Sequence, residues 1–261
     1  ITHRGANTST HLAEIRYPVQ TAPVVSVVKL LPPNGLAACN EAMAWLFLRA
    51  AGVAAPRNAA IITLSAAKAT KVLGRHAMKS IPTKDGLVLA WAAKKLDFQS
   101  IRAVFAGSNG DAKWIALLRT VEGSAIAAFD EAFLNIDRNQ GNVLYTSDNK
   151  CIPIDHECAF GMQDWTQAPL LHLASDGDSL RAMKAAHKGG KMPLRAYTEA
   201  VNHMVFHAEK HSAALQASAD HITHLLARVY PGQAAAMTDR VLSFVAARTA
   251  HEWIKDRLGV M

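Results

Sequence analysis

Three residues in the middle of the chain have the side chains that a magnesium–phosphate site requires. Asp137 and Asn142 stand five residues apart in the polar segment NIDRNQGN, and Asp155 ends the apolar segment CIPID. Mg²⁺ prefers oxygen ligands and completes its shell with phosphate and water. Asn142 can supply a neutral oxygen and Asp155 an anionic one, while Asp137 can accept a proton from an attacking hydroxyl. The spacing therefore predicts a site for phosphoryl transfer from ATP.

The predicted elements around these residues would bring them together. GDAKWIALLRTVEG and SAIAAFDEAFLN have helical spacing of apolar residues, and helical character ends where Asn, Asp and Gly cluster. VLYT and CIPID are typical of two strands joined by the tight turn SDNK. A hairpin places the start of its first strand beside the end of its second, so Asn142 and Asp155 should be neighbours. The alternative is a polar turn that merely caps a helix and closes a hairpin.

A lysine and a glutamate precede this hairpin in an informative order. PVVSVVKLLP is β-branched and bounded by prolines, which predicts a strand carrying Lys29. NGLAACNEAMAWLFLRAAG predicts a helix with Glu41 early in it. Such a pair can fix the lysine over the α- and β-phosphates of ATP. An edge or snorkelling lysine, and a carboxylate that complements the helix dipole, are the alternatives.

The first residues of the chain could present backbone N–H groups to phosphates. Gly5 is followed there by the small polar residues Asn7, Thr8 and Ser9. A polar turn or a frayed terminus would explain the same composition.

Two further strands are predicted before residue 97. PRNAAIITL and GLVLAWAAKKL have strand character, and the cationic, turn-rich segment between them predicts a surface excursion. If residues 87–92 form the last strand of an N-terminal lobe, Ala90 to Ala93 lead into the second lobe. The main chain at Ala90 and Ala92 could then pair with the edge of an adenine base.

Composition limits the classes of protein. The 261 residues are half apolar, and the net charge of +7 comes from scattered Lys and Arg without aromatic interleaving, which argues against nucleic-acid binding. Cys39, Cys151 and Cys158 have no CxxC spacing, so we expect no disulfide framework or zinc site, and a reducing cytoplasm. No apolar run has membrane-spanning length and no signal peptide is evident, so no transmembrane segment is expected.

The last ninety residues are predicted to be mainly helical from Leu170 onward. The fold class is therefore α+β with two lobes: residues 1–93 form a small β-rich lobe with one main helix, and residues 94–261 a helical lobe with the loop and hairpin. His203, His207 and His211 follow at i, i+4 and i+8, so they would share a helix face. A zinc or nickel site there is conceivable, and a solvated or inter-helix histidine face is the alternative.

The central stretch from Phe129 to Phe160 resembles a known family. N-x-D-R-N-x-x-N-V-L followed by I-D-H-E-x-A-F is similar to the HipA-like and phosphatidylinositol 3/4-kinase-like branch of the protein-kinase-like superfamily. The resemblance implies a two-lobed kinase-like fold, ATP with Mg²⁺, and transfer of the γ-phosphate to a hydroxyl. It implies these residues: Asp137 as catalytic base, Asn142 and Asp155 as metal ligands, and Lys29, paired with Glu41, on the ATP phosphates. Arg138 is beside the base and could steady the loop or a phosphate.

The pattern differs from that of ordinary protein kinases, since His156 and Glu157 follow Asp155 and no A-P-E segment or complete GxGxxG loop is present. His156 and Glu157 could join the metal site or be structural. The acceptor is open between a protein Ser/Thr, a lipid headgroup and a small molecule. The alternative functions are an inactive nucleotide-binding pseudokinase acting as a regulatory module, and a toxin-like kinase checked by a partner protein.

Overall fold

The chain is α+β, with a small antiparallel sheet in its N-terminal region and a larger helical C-terminal part. The computed structural model describes residues 10–18, 20–31, 36–78, 83, 85–105, 107–146, 150–161, 165 and 175–259. It divides into two compact units: Ile1–Trp45 with Pro56–Asp97, and Leu46–Ala55 with Phe98–Met261.

The first unit is built on a four-stranded antiparallel sheet of order β1-β2-β4-β3. The predicted strands and main helix of this region are confirmed. The elements are β1 (Thr10–Ile15), β2 (Val24–Leu31), α1 (Leu36–Ala50), β3 (Ala59–Ser65), α2 (Ala66–Leu73), α3 (Arg75–Met78) and β4 (Leu87–Lys94).

The prediction that Ala90 to Ala93 link the lobes is wrong, because these residues lie inside the central strand β4. Ala90 is paired with Leu30 of β2 on one side and Ile62 of β3 on the other. Ala92 is likewise paired on both sides and fully buried. A backbone held in two ladders has no N–H or C=O groups for an adenine edge. The chain leaves the sheet after Lys94 instead.

Helix α2 begins the segment between β3 and β4, for which a turn-rich surface excursion was expected. It begins after Ser65, whose hydroxyl accepts a hydrogen bond from the backbone N–H of Lys68 at 3.2 Å. Ala69 of this helix is buried against Val28 and Leu30 on one face of the sheet. The lysines that suggested a surface segment are compatible with an amphipathic helix that buries only one side.

The second unit is mainly helical, as predicted for its C-terminal part. Its helices after α1 are α4 (Ile101–Val104), α5 (Ser108–Leu118), α6 (Val121–Phe133), α7 (Asp178–Lys188), α8 (Leu194–Ala208), α9 (His211–Val229), α10 (Ala234–Thr249) and α11 (His251–Leu258). Helix α6 lies at the centre of the unit, since every residue from Gly123 to Phe133 is buried.

Several helix boundaries differ from the predicted ones. Helix α5 ends before Arg119, and α6 begins after Thr120, whose hydroxyl accepts from the N–H of Gly123 at 3.1 Å. A second break separates α8 from α9 at Glu209 and Lys210. These breaks contain neither glycine nor proline. The sequence therefore has no breaker residue at these positions, and the apolar periodicity continues across them.

The predicted hairpin is confirmed and belongs to a three-stranded antiparallel sheet. Strand β6 (Val143–Tyr145) pairs with β7 (Cys151–Pro153), and the short β5 (Gln99–Ser100) adds to the other edge of β6. Val143 lies opposite Pro153, and the N–H of Ile154 donates to the carbonyl of Asn142 at 3.0 Å. The register therefore aligns Asn142 with the residue before Asp155.

Cys39, Cys151 and Cys158 are free. Among the helices that the structure describes, none is both long and apolar enough to cross a membrane.

Candidate functional site

Asp137 and Asn142 are in direct contact at the end of the hairpin. The amide nitrogen of Asn142 donates to the carbonyl oxygen of Asp137 at 2.6 Å and to its carboxylate Oδ2 at 3.3 Å. Asp137 is exposed, whereas Asn142 is 9% exposed in a single 3-10 turn, residues 140–142. A carboxylate that is fixed by amide donors and open to solvent is placed to accept a proton from an incoming hydroxyl.

Asp155 follows strand β7 in a conformation that non-glycine residues rarely adopt. Its φ angle is 63°, in the left-handed region. Such a conformation costs free energy and persists where neighbouring contacts over-determine it, commonly at functional sites. The residue before Asp155 is the cross-strand partner of Asn142. The hairpin therefore brings together all three residues that the sequence selected.

Arg138 supports this loop from inside the unit and is 3% exposed. Its guanidinium donates to the carboxylate of Asp130 at 3.1 Å and to the carbonyls of Asn142 at 2.8 Å and Ile154 at 2.6 Å. Its Nη2 also lies 3.0 Å from Nδ1 of His156. The suggested phosphate contact is therefore not available to Arg138, because its nitrogens are engaged within the protein. Its place among the catalytic residues is corrected to a supporting one.

Two residues at the site were missed from the sequence. Asn139 donates to the main-chain oxygen of Asp137 at 3.1 Å and to its carboxylate at 3.3 Å, and accepts from Arg102 at 2.9 Å. Asp130 is fully buried on α6 and accepts from Arg138, Asn135 and Ser179. A carboxylate inside the apolar run AIAAFDEAF was the available signal for Asp130, since an unpaired buried charge is very costly.

Electrostatics of this buried acid follow from its surroundings. Loss of water raises the pKa of the Asp130 carboxyl, and the charge and hydrogen bonds of Arg138 oppose that rise. The neighbouring Glu131 is also buried, and desolvation raises its pKa to about 7 despite the nearby Arg248. Helix α6 thus carries two adjacent buried acids, each held by an arginine from elsewhere in the unit.

The first unit contains the predicted lysine–glutamate pair. Nζ of Lys29 on β2 lies 2.9 Å from Oε1 of Glu41 on α1. The lysine side chain is 13% exposed and the glutamate side chain 3% exposed. Glu41 is the sixth residue of α1, beyond the first turn where it would complement the helix dipole. Its ion pair with Lys29 is therefore the better explanation of its position.

Two exposed valines precede Lys29 on its side of strand β2. Val25 and Val27 alternate with buried residues along β2, so they share the face of Lys29. They are 47% and 36% exposed. Exposed valines beside a buried ion pair form a surface that a flat apolar ring could cover.

The oxygen donors at the hairpin end are compatible with a hard cation. The side-chain nitrogen of Asn142 donates to Asp137. The side-chain oxygen of Asn142 is therefore the atom that could ligate a metal. Carboxylate oxygens of Asp155 and Glu157 lie within 4.8 Å of each other. An amide oxygen and carboxylates form the donor set that Mg²⁺ accepts. His156 contacts Arg138 instead, which supports the structural alternative for that residue.

His203, His207 and His211 do not share one helix, because α8 ends at Ala208 and His211 begins α9. Within the described chain, they do not bring three ligand atoms within 4.8 Å of one another. Burial lowers the pKa of His211 to about 3, and its ring packs edge-on against Phe47 with centroids 5.1 Å apart. The helix face predicted for these histidines is therefore wrong.

The residues proposed for a phosphate-binding loop, Gly5, Asn7, Thr8 and Ser9, lie outside the described residues.

Comparisons with known proteins do not assign a family. A scan against protein-family models finds no match, and a search of the curated proteins finds no similar sequence. The resemblance to HipA-like and phosphatidylinositol 3/4-kinase-like proteins therefore stays a prediction that rests on residues 129–160 and the Lys29–Glu41 pair.

Proposed function

We propose that this protein is an ATP-dependent kinase of the HipA-like and phosphatidylinositol 3/4-kinase-like type, transferring the γ-phosphate to a hydroxyl. The observation that carries the proposal is the end of the β6–β7 hairpin. There the amide of Asn142 holds Asp137, and Asp155 follows directly after the cross-strand partner of Asn142. A base, a neutral oxygen ligand and an anionic ligand are the parts that phosphoryl transfer requires.

Each side chain has a distinct part in the proposed reaction. Asp137 accepts the proton of the acceptor hydroxyl, because its carboxylate is exposed and fixed by amide donors. Asn142 and Asp155 would hold Mg²⁺, which neutralises phosphate charge when bound. Lys29 contacts the phosphates of ATP, and Glu41 keeps the lysine extended and charged.

Substitution of the two aspartates tests this proposal. Asp137→Ala and Asp155→Ala should each abolish Mg²⁺-dependent ADP formation, whereas Asp220→Ala, at an exposed position of α9, should leave it unchanged. A thermal-shift panel of nucleotides with the wild-type protein accompanies the assay and shows whether ATP binds.

The outcomes separate the alternatives. Turnover that survives both site substitutions contradicts the assignment of the residues. Mg²⁺-dependent ATP binding without turnover, on any acceptor present in a whole lysate, supports a pseudokinase and contradicts the proposed activity. Transfer of phosphate to one lysate component identifies the acceptor class.

A further inference from the structure

One guanidinium contacts the main chain of Asn142 and of the residue that precedes Asp155. Nη1 of Arg138 donates to the carbonyl of Asn142 at 2.8 Å and to the carbonyl of Ile154 at 2.6 Å. Nη2 lies 3.0 Å from Nδ1 of His156. Arg138 therefore touches Asn142 itself and the residues on both sides of Asp155.

These contacts explain how Asp155 keeps its unfavourable backbone. A non-glycine residue with φ of 63° relaxes unless its neighbours are fixed. Here the carbonyl before Asp155 and the side chain after it are fixed by the same planar group. Arg138 therefore restrains the residues on both sides of Asp155.

We call the contacts of Arg138 with the hairpin and with His156 the brace. Their chemistry requires an arginine and a neutral histidine. Arginine presents five N–H donors on three nitrogens of a rigid planar group, whereas lysine offers three on a single atom and cannot span partners that lie as far apart. Because arginine cannot accept, Nδ1 of His156 accepts the hydrogen bond and the ring proton lies on Nε2.

The guanidinium group of Arg138 is itself held in place by Asp130. This carboxylate lies against Nε of Arg138 at 3.2 Å, and it also accepts from Ser179 and Asn135. Asp130 and the Arg138 side chain are completely buried, so the brace is shielded from water and salt.

We propose that Arg138 and His156 are positioning residues that set the distance and orientation between the two proposed metal ligands, Asn142 and Asp155. The inference rests on the proposed function for its consequence, but the brace has a measurable effect on the protein without metal. Residues that orient metal ligands from behind commonly affect metal affinity about 10- to 100-fold.

The test uses paired substitutions in the full chain. Arg138→Lys keeps the charge and loses the planar guanidinium group, and His156→Leu removes the acceptor. His156→Asn restores an acceptor oxygen near the position of Nδ1. Arg248→Lys is the matched control, because Arg248 is also buried and paired with an acid of α6, Glu131, and also donates to the carbonyl of Ser175 at 3.1 Å.

Two readouts are measured for each variant. The first is amide hydrogen exchange of a peptide covering residues 151–161 in the metal-free protein, and the second is the Mn²⁺ concentration that half-saturates phosphoryl transfer. For Arg138→Lys and His156→Leu we expect faster exchange and a half-saturating Mn²⁺ concentration about tenfold higher. His156→Asn should stay close to wild type in both readouts, and Arg248→Lys should change neither even if it lowers Tm.

Unchanged exchange in Arg138→Lys and His156→Leu would overturn the inference, as would an equal change in Arg248→Lys. If Arg138→Lys does not fold, the comparison of His156→Leu with His156→Asn decides. If the wild-type protein shows no phosphoryl transfer, the proposed function fails, and hydrogen exchange still decides whether the brace positions Asp155.

Discussion

At the residue scale, the polar side chains around the hairpin divide into an exposed group and a buried group. Asp137 is open to solvent, where a hydroxyl-bearing acceptor can reach it. Asp130 and Arg138 are buried inside the unit and are hydrogen-bonded to each other. The buried pair fixes the main chain from which the exposed groups project, so chemistry and support are carried by different residues.

His211 provides a prediction about stability against pH. Burial lowers the pKa of this histidine from 6.5 to about 3, so below pH 6.5 the unfolded chain binds a proton that the folded protein does not. Its contribution to stability is present above pH 6.5 and is lost as the pH falls towards 3. The free energy of unfolding should therefore decline by up to about 1.4 kcal/mol per pH unit in this window.

Urea denaturation of wild type and His211→Leu between about pH 5 and pH 7.5 measures this effect. The variant should lose this part of the pH dependence, whereas Leu215→Ala, a buried change on the same helix, should lower stability equally at each pH. The pKa of Glu131 is raised to about 7, so its contribution to the free energy of unfolding falls as the pH rises from 4.5 to 7. Glu131 is present in all three proteins, so this effect is common to them. Parallel curves for wild type and His211→Leu would contradict the prediction.

The sequence identified the three site residues by chemical type but could not identify the buried residues that support them. Asp137, Asn142 and Asp155 have a spacing that the hairpin turns into proximity. Asp130 depends on Ser179, which is 49 residues away along the chain. Such a contact follows from tertiary packing, so neither composition nor periodicity indicates it. The same limit made Arg138 appear to be a phosphate ligand.

At the element scale, the junction between α5 and α6 depends on one glycine. A Cβ atom built on Gly123 would lie 1.9 Å from the carbonyl oxygen of Leu117, which leaves no room for a side chain. We expect Gly123→Ala to lower the free energy of unfolding by about 1–3 kcal/mol or more, because the two helices must separate. The midpoint of urea unfolding measures the loss.

Gly232→Ala is the matched control for that substitution. Gly232 has no atom within 4 Å of the added Cβ and no positive φ. The change should be within about 0.5 kcal/mol of wild type, or slightly stabilising through the unfolded chain. Equal midpoints for the two alanine variants would show that the close approach at Gly123 does not constrain the junction.

Helices and strands with strong sequence patterns were predicted correctly, whereas the residues at which they begin and end were not. β2 and α1 agree with the sequence because β-branched residues and helix formers occur in unbroken runs there. The end of α5 lacks a glycine or proline signal, and a side-chain cap at Thr120 terminates the pattern instead. Ala90 and Ala92 were wrongly assigned to a link between lobes. The position of a strand within a sheet depends on its partner strands, which cannot be identified from the sequence of the strand itself.

At the scale of the whole molecule, the second unit includes a piece of chain from the N-terminal half. Phe47 belongs to α1, is fully buried, and packs on Phe133 with ring centroids 4.8 Å apart. Phe47→Ala should therefore destabilise the second unit by about 3–5 kcal/mol. Phe98→Ala, where the ring is 42% exposed, should cost about 1 kcal/mol or less.

Tryptophan fluorescence during urea unfolding can monitor this effect. Trp114 and Trp165 are both buried within the second unit. A similar cost for Phe47→Ala and Phe98→Ala would contradict the packing of Phe47 within that unit.

The central claim concerns the proposed reaction of the protein, in which Asp137 accepts the proton of the acceptor hydroxyl. The most direct measurement follows radiolabel from ATP into an acid-stable product, comparing γ-labelled with α-labelled nucleotide in the presence of Mg²⁺. We expect label to transfer from the γ position only. With Asp137→Asn, the rate of that transfer should fall by about 100- to 10,000-fold. Transfer from the α position, or a γ-transfer rate that Asp137→Asn leaves unchanged, would contradict the claim.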